Sequence, residues 1–165
     1  MVERYGFEEF AVARAKRLFQ YAYLICGDWH QAEDLVQATL AKVYVAWRRV
    51  EHQENVDAYA RRVLLRTYLS HRRLKRSSET PVAEVVAGAY EDDSADLRVT
   101  LMTALRALPP RHRAVVVLRY FEGQTSESVA AILGMTASAV KSINTRSLAA
   151  MRAALGAARE DLFKQ

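Results

Sequence analysis

Apolar residues recur at helical spacing over most of the chain, and glycine or polar residues separate the helices that this pattern predicts. The first predicted helix carries apolar positions from Phe7 to Ile25 and ends at Gly27. Asp28 then caps a second helix, with Gln31 as its capping-box partner. The apolar face of this helix is formed by Ala32, Leu35, Val36, Leu40, Val43, Trp47 and Val50.

A third helix is expected after Asn55 and completes a small core within residues 1–76. Its predicted inner face is formed by Val56, Tyr59, Ala60, Val63, Leu64 and Thr67. In the second half of the chain a stripe of leucines predicts a further helix, which ends at Pro109 and Pro110. The stripe consists of Leu97, Leu101, Leu105 and Leu108. The next helix stops at Gly123, and its inward positions are Ala114, Val115, Val117, Leu118 and Phe121.

Residues 125–151 have the features of a helix-turn-helix in the expected order. Thr125 caps a short helix, Gly134 supplies the left-handed turn after it, and Thr136 caps the second helix. Val140, Ser147, Leu148 and Met151 can pack inward. Four polar side chains then remain on the part of the helix that meets a major groove: Lys141, Ser142, Thr145 and Arg146. A purely structural four-helix bundle is the alternative interpretation of this pattern.

Charge is distributed unevenly and marks a domain boundary. Residues 61–76 contain seven basic and no acidic residues, whereas residues 77–98 contain six acidic residues and one basic residue. With Pro81 and Gly88, the acidic stretch predicts a linker, or else a partly helical loop packed on one domain. We therefore predict an all-α protein of two small helical domains, residues 1–76 and 97–158, joined by an acidic linker at 77–96 and followed by a tail at 159–165.

The composition favours a polyanionic partner and gives no sign of catalysis. The net charge is +5, and Tyr68 and His71 lie among the arginines of residues 61–76. Aromatic and basic side chains together suit a single-stranded base, although a solvated basic face with its tyrosine in the core gives the same pattern. The four histidines lack metal-ligand spacing, and no P-loop or GxSxG motif is present, so we expect no metal, no cofactor and no enzyme activity.

Cys26 is the single cysteine, so an internal disulfide is excluded. The sequence also shows no signal peptide and no apolar run of membrane-spanning length. These features predict a cytoplasmic protein with no membrane partner.

Three segments resemble one family of transcription factors. The segment AEDLVQATLAKVYVAW (32–47) resembles the core-polymerase-binding segment of sigma-70-type initiation factors, and residues 104–152 resemble their promoter −35 binding domain. The short linker is similar to that of the extracytoplasmic-function (ECF) group, and RRVLLRTYLSHRR (61–73) is similar to the SigE-like subgroup of actinobacteria. The resemblance implies an initiation factor that directs core RNA polymerase to promoters through −10 and −35 recognition and promoter melting.

The resemblance also assigns surfaces to partners. It implies that the first domain docks on the β′ coiled coil of the polymerase through Asp34, Leu35, Gln37, Val43 and Trp47. The same domain would melt and hold the −10 element through Arg62, Arg66, Thr67, Ser70, Arg72 and Arg73. The second domain would contact the β flap and bind −35 duplex DNA through Lys141, Ser142, Thr145 and Arg146. The linker would enter the polymerase cleft, and the resemblance allows an anti-sigma factor as a further partner.

Three residues depart from the family pattern. Arg66 stands where many relatives have Asn, Ser70 where many have an acidic residue or Asn, and Ile143 replaces a polar or basic residue of the recognition helix. The first two bear on the −10 preference, while Ile143 could touch a thymine methyl group or make no contact with DNA. A two-domain repressor or activator that acts without polymerase is the alternative function, and an adaptor without a DNA role is a third. The polar face of the second helix favours the sigma interpretation.

Overall fold

The computed structural model describes the backbone of residues 2–52, 55–76 and 93–163, and side-chain environments for residues 6–52, 55–72 and 98–157. All regular structure within these ranges is helical, which confirms the predicted fold class. The chain divides into two compact units, residues 1–85 and 86–165. Most of the predicted acidic linker, residues 77–92, lies outside the described residues.

The first two helices meet where local sequence signals predict their boundary. Helix α1, Val2–Cys26, is followed by Gly27, whose φ of 74° lies in the left-handed region that glycine adopts without strain. The Asp28 carboxylate accepts a hydrogen bond from the backbone N–H of Gln31 at 3.3 Å and so caps α2, Trp29–Val45. The predicted stop and the predicted cap are both confirmed.

The expectation of one continuous helix to Val50 is wrong, because the helix is interrupted at Ala46. Helix α2 ends at Val45, and a one-turn helix, α3, spans Trp47–Val50. The indole of Trp47 lies edge-on to the ring of Phe7, with centroids 5.6 Å apart, and tilted against the ring of Phe10 at 5.5 Å. Packing on α1 decides the path of this segment, since burial of an aromatic ring outweighs local helix propensity.

Helix α4, Val56–Arg76, completes the first unit by packing on α1 and α2. The side-chain oxygen of Asn55 accepts a hydrogen bond from the backbone N–H of Ala58 at 3.0 Å and caps its N-terminus. The buried apolar residues of α4 are Ala60, Leu64, Leu65 and Tyr68. Leu65 and Tyr68 thus extend the inner face beyond the positions that the apolar pattern assigned to it.

The second unit is built around one long helix. Helices α5, Asp93–Arg106, α6, Pro110–Val116, and α7, Ser126–Leu133, all pack against α8, Ala137–Phe163. The interruption between α5 and α6 at the two prolines was predicted and is confirmed. Proline 110 is the first residue of α6, where its missing N–H removes no helical hydrogen bond.

Arg113 on α6 covers the C-terminal end of α5, which the sequence did not indicate. Its buried side chain donates from Nε to the carbonyl of Leu105 at 3.0 Å. Its Nη2 donates to the carbonyls of Arg106 at 3.1 Å and Leu108 at 3.2 Å. The last carbonyls of a helix lack partners within it and carry a partial negative charge, so a buried guanidinium is stabilised there.

Helix α6 continues into a π-helical turn, Val117–Phe121, which ends before Gly123 at a φ of 67°. Two predictions about apolar positions fail in this unit: Leu101 and Phe121 are 40% and 41% exposed. A π-helical turn holds more residues than an α-helical one, so it moves Phe121, its last residue, off the face that α-helical spacing assigns to it. Leu101 lies on α5, and nothing in the structure explains its exposure. The side chain of Leu97 lies outside the described residues.

Candidate nucleic-acid interfaces

The helix-turn-helix of α7 and α8 forms through the caps and the turn that its sequence predicts. The Thr125 hydroxyl accepts from the backbone N–H of Ser128 at 3.1 Å and caps α7. Gly134 follows α7 in the left-handed conformation, with φ 66°. The Thr136 hydroxyl accepts from the N–H of Ala139 at 3.1 Å and caps α8. These local hydrogen bonds fix the angle at which α8 leaves the turn.

The first three turns of α8 separate a buried side from an exposed polar side. Val140, Ile143 and Ser147 are buried, whereas all four predicted DNA-facing residues are exposed: Lys141, Ser142, Thr145 and Arg146. Ile143 is only 8% exposed, so it belongs to the core of the unit, and the alternative in which it makes no contact with DNA is favoured. The polar side remains free to enter a groove.

Two interactions on this surface shape what it can offer to DNA. The Lys141 ammonium lies 3.9 Å from the Glu127 carboxylate of α7, and both side chains are largely exposed. Such a pair is screened by water and can be exchanged for a phosphate contact. The Thr145 hydroxyl donates to the carbonyl of Lys141 at 3.0 Å, which leaves its methyl group and an accepting oxygen on the surface.

The flank of α8 carries a polar contact that the sequence did not predict. The side-chain amide of Asn144 donates to the hydroxyl of Tyr120 at 3.0 Å across 24 residues of sequence. Tyr120 belongs to the π-helical turn, and the Arg119 guanidinium lies 5.9 Å from the centre of its ring. An aromatic residue next to a cation is a signal visible in the sequence, but its position beside α8 is not.

The basic run forms one exposed edge of α4. Arg62, Arg66 and Ser70 are exposed and follow one another at intervals of four residues, so they share a face. Arg72 is exposed as well, while the side chain of Arg73 lies outside the described residues. Residues at this spacing present a row of cations along one side of a helix, which suits a nucleic-acid backbone.

Two residues of this region lie inside the protein instead. Thr67 is 3% exposed; its hydroxyl donates to the carbonyl of Val63 at 2.7 Å and accepts from the Lys42 ammonium at 2.9 Å. Tyr68 is 2% exposed, so its ring is not accessible for stacking on a base. The alternative in which the tyrosine belongs to the core is the correct one. Thr67 therefore lies beneath the exposed basic residues of α4 and stabilises the position of the helix that carries them.

The outer face of α2 is polar at one end and apolar at the other. Asp34 and Gln37 are exposed, and on the same side further along the helix the exposed residues include Tyr44 and Val45. The other residues predicted for polymerase binding are buried on the opposite side of the segment, namely Leu35, Val43 and Trp47. The apolar pattern alone did not indicate Tyr44 and Val45, because they lie off the apolar face that it assigned to this helix.

Neither metal-binding nor membrane-spanning features occur in the part of the chain that the structure describes. Its His, Cys, Asp and Glu residues form no group of three that could hold a metal ion. None of its helices combines the length and the hydropathy needed to cross a membrane.

A helical protein with an exposed recognition helix and a second basic helix belongs to the DNA-binding class. Comparisons with known proteins identify the family within that class. A model described as Sigma-70 region 2 matches residues 11–78, and one described as Sigma-70, region 4 matches residues 104–153. The RNA polymerase sigma-E factor of Streptomyces coelicolor is 38% identical over 155 residues, which cover 92% of this chain and 87% of that protein. The RNA polymerase sigma factor SigV of Bacillus subtilis is 28% identical over 147 residues, which cover 87% of this chain and 86% of that protein.

Solved structures show the same fold. The sigma factor RpoE of Bartonella quintana, in complex with the anti-sigma factor NepR, matches with a TM-score of 0.74 at 24% identity, over 91% of this chain and 96% of that chain. CnrH, in complex with the cytosolic domain of CnrY, matches with a TM-score of 0.61 at 21% identity, over 92% and 88% of the two chains. The chain belongs to the sigma-70 family and is an ECF-type RNA polymerase sigma factor, a protein of transcription initiation.

Proposed function

We propose that the two units of this sigma factor divide its work, with residues 1–76 binding core polymerase and the −10 element and residues 97–158 binding the −35 element. The observation that carries this proposal is the presence of two separate exposed surfaces, one on α2 and one on α8, in the parts of the chain that match regions 2 and 4. A repressor has a use for the second surface only.

The polymerase-binding surface that we propose is the outer face of α2. Asp34 and Gln37 supply oriented polar groups, and Tyr44 and Val45 supply exposed apolar area on the same side. Docking surfaces combine these two properties. The buried residues contribute indirectly, because their packing holds α2 and α3 in place within the unit; they are Leu35, Val43 and Trp47. The partner surface would be the β′ coiled coil of the core enzyme.

The −10 surface that we propose is the basic edge of α4. Arg62 and Arg66 would hold the backbone of a melted strand, while Ser70 faces the strand from the same side. Arg72, exposed on a neighbouring side of the helix, would add a further phosphate contact. Thr67 contributes by anchoring Lys42 beneath this edge. Arg73 is assigned to the same surface from its place in the sequence. Base capture together with a phosphate grip is what strand separation requires of a protein.

The −35 surface that we propose is the exposed polar side of α8. Lys141 and Arg146 provide cations, and Ser142 and Thr145 provide smaller polar groups at the same depth. A cationic side chain in the major groove reads guanine or holds a phosphate, and hydroxyls tolerate several bases. The β flap would contact the same unit away from this side.

The remaining assignments follow from the family. The protein would act without catalytic chemistry or a cofactor, since core polymerase forms every bond, and it would work in the cytoplasm, where polymerase and promoters are. The linker, residues 77–96, would occupy the polymerase cleft in the place of nucleic acid. Its acidic residues carry charge of the same sign as DNA, so they would keep the linker off the template strand. An anti-sigma factor that covers one of the two surfaces would regulate the protein.

The decisive test is run-off transcription from a pooled genomic promoter library, using core polymerase from the organism that encodes the chain, with and without the protein. Specific transcripts that depend on the protein, and that share sequence at −35 and −10, support the proposal. A preparation that binds duplex DNA tightly by itself yet stimulates no transcription supports the repressor instead. The Asp34→Arg variant is the internal control, because it should lose transcription while retaining its helical content.

A further inference from the structure

Tyr120 places a phenol hydroxyl at the flank of the recognition helix. The residue is 55% exposed, and its hydroxyl is held at 3.0 Å by the side-chain amide of Asn144, on the first half of α8. Asn144 immediately precedes Thr145 and lies one turn after Lys141, two of the proposed −35 contacts. The hydroxyl is thus tied to the same stretch of helix that would enter the groove.

The hydrogen bonding of this pair leaves a donor unused. Asn144 donates its amide hydrogen, so the Tyr120 oxygen is the acceptor and keeps its own hydrogen available. The ring stands more than half in solvent, so the hydroxyl hydrogen can turn toward an acceptor outside the protein. A hydroxyl fixed in place with a free hydrogen is a suitable donor for a further oxygen atom.

The local charge favours an anionic acceptor. The Arg119 guanidinium lies over the tyrosine ring at 5.9 Å, and the exposed Lys141 ammonium projects from the same half of α8. When a recognition helix lies in the major groove, phosphates line both of its flanks, and neutral donors such as tyrosine hydroxyls commonly contact them. A DNA phosphate therefore fits this position in both geometry and charge.

We propose that the hydroxyl of Tyr120 donates a hydrogen bond to a backbone phosphate of the −35 duplex, with Asn144 as the residue that positions it. The inference rests on the proposed −35 function of α8 and adds to it a contact made from outside the helix-turn-helix. Because the phenol is neutral and touches no base, it fixes the depth and register of α8 in the groove without reading sequence.

The test compares wild type with Tyr120→Phe, which keeps the ring and removes only the hydroxyl. Holoenzyme is titrated onto a −35 duplex from a promoter mapped by run-off transcription, and the salt dependence of binding is recorded. We expect about tenfold weaker binding, the size of one hydrogen bond to a charged group at the lower end of its range. The loss should be equal for matched and mismatched −35 sequences, and the salt slope should not change, because no counterion is released by a neutral group.

The matched control is Tyr59→Phe, which removes a tyrosine hydroxyl of the first unit that likewise accepts from a side chain, the Nη2 of Arg49 at 3.3 Å, and it should leave duplex affinity unchanged. A scan with single methylphosphonates along the duplex then locates the acceptor. At one position the neutral linkage should weaken wild type but not Tyr120→Phe. Asn144→Ala should weaken binding less than Tyr120→Phe and add nothing to it in the double variant.

Equal duplex affinity of wild type and Tyr120→Phe, in an assay where Arg146→Ala does weaken binding, overturns this inference and leaves the −35 function intact. If neither variant changes the affinity, the proposed function of α8 fails, and the inference with it. If Tyr120→Phe lowers the affinity for core polymerase but not for the duplex, the hydroxyl faces polymerase and the inference is also overturned.

Discussion

The ammonium of Lys42 on α2 donates a hydrogen bond to the hydroxyl of Thr67 on α4 at 2.9 Å. This bond joins the helix proposed to bind polymerase to the helix proposed to hold the −10 strand. Because Thr67 also donates to the carbonyl of Val63, its oxygen is fixed and Lys42 has one defined place to bind. The two proposed surfaces of the first unit are therefore held in a fixed register.

Removing the Thr67 hydroxyl should weaken the contact between α2 and α4. Thr67→Val keeps the shape of the side chain and loses both hydrogen bonds, which should lower the local stability of α2 and α4 by about 1 kcal/mol. Hydrogen exchange followed by mass spectrometry would measure this as faster exchange in both helices. Thr145→Val, whose hydroxyl bonds only to its own helix on the surface, is the control and should leave both helices unaffected.

Arg113 should be a main determinant of the stability of the second unit. Arg113→Met removes three buried or part-buried hydrogen bonds to the backbone carbonyls at the end of α5, and we expect the free energy of unfolding to fall by about 3 kcal/mol. Urea unfolding measures this quantity. Arg111→Met changes an exposed arginine of the same helix and should have almost no effect. Equal effects of the two variants would show that the carbonyl contacts contribute little.

Polymerase binding and stability should separate on α2. Asp34→Arg reverses an exposed charge and should lower the affinity for core polymerase with the fold intact, whereas Leu35→Ala empties a buried site and should lower the free energy of unfolding by about 3 kcal/mol. Affinity is measured by titrating labelled core enzyme, and stability by urea unfolding. Glu9→Arg, an exposed reversal on α1, is the charge control. Unchanged polymerase affinity of Asp34→Arg would remove α2 from the docking surface.

Arg146 should distinguish base reading from backbone contact. If it reads a base, Arg146→Ala should weaken −35 binding by about 1–3 kcal/mol and relax the preference at one position. A loss that is equal for all sequences, with a reduced salt slope, would mark a phosphate contact. Holoenzyme binding to a panel of single-base variants measures both. Arg152→Ala changes an exposed arginine further along α8 and should leave the preference as it is.

Arg66 should bear on −10 and not on −35 selection. Arg66→Asn replaces an exposed cation of α4 with the residue that many family members carry there, so we expect an altered −10 consensus and an unchanged −35 consensus. Run-off transcription from a library randomised at both elements measures the two preferences together. Arg17→Asn, an exposed change on α1, should alter neither. Promoter selection that is indifferent to Arg66→Asn would exclude this residue from the −10 surface.

Local signals made much of the fold predictable. The cap at Asp28, the left-handed glycines and the caps at Thr125 and Thr136 each depend on a few neighbouring residues, so the sequence specifies them directly. The exposed side of α8 follows from the same helical period. These parts of the candidate −35 surface were therefore predicted residue by residue.

The differences arise where distant residues meet. The interruption at Ala46 depends on rings from α1, the place of Arg113 depends on the end of another helix, and the burial of Ile143 depends on which side of α8 the rest of the unit covers. Periodicity identifies an apolar side chain but not the partner that covers it. The contact between Tyr120 and Asn144 escaped prediction for the same reason.

The two tryptophans of the chain, Trp29 and Trp47, both lie in the first unit, one half-exposed at the start of α2 and the other enclosed by phenylalanine rings. Intrinsic indole fluorescence is therefore an optical probe of that unit alone, while circular dichroism sums the helices of both. A difference between the two melting curves would reveal that the units unfold independently.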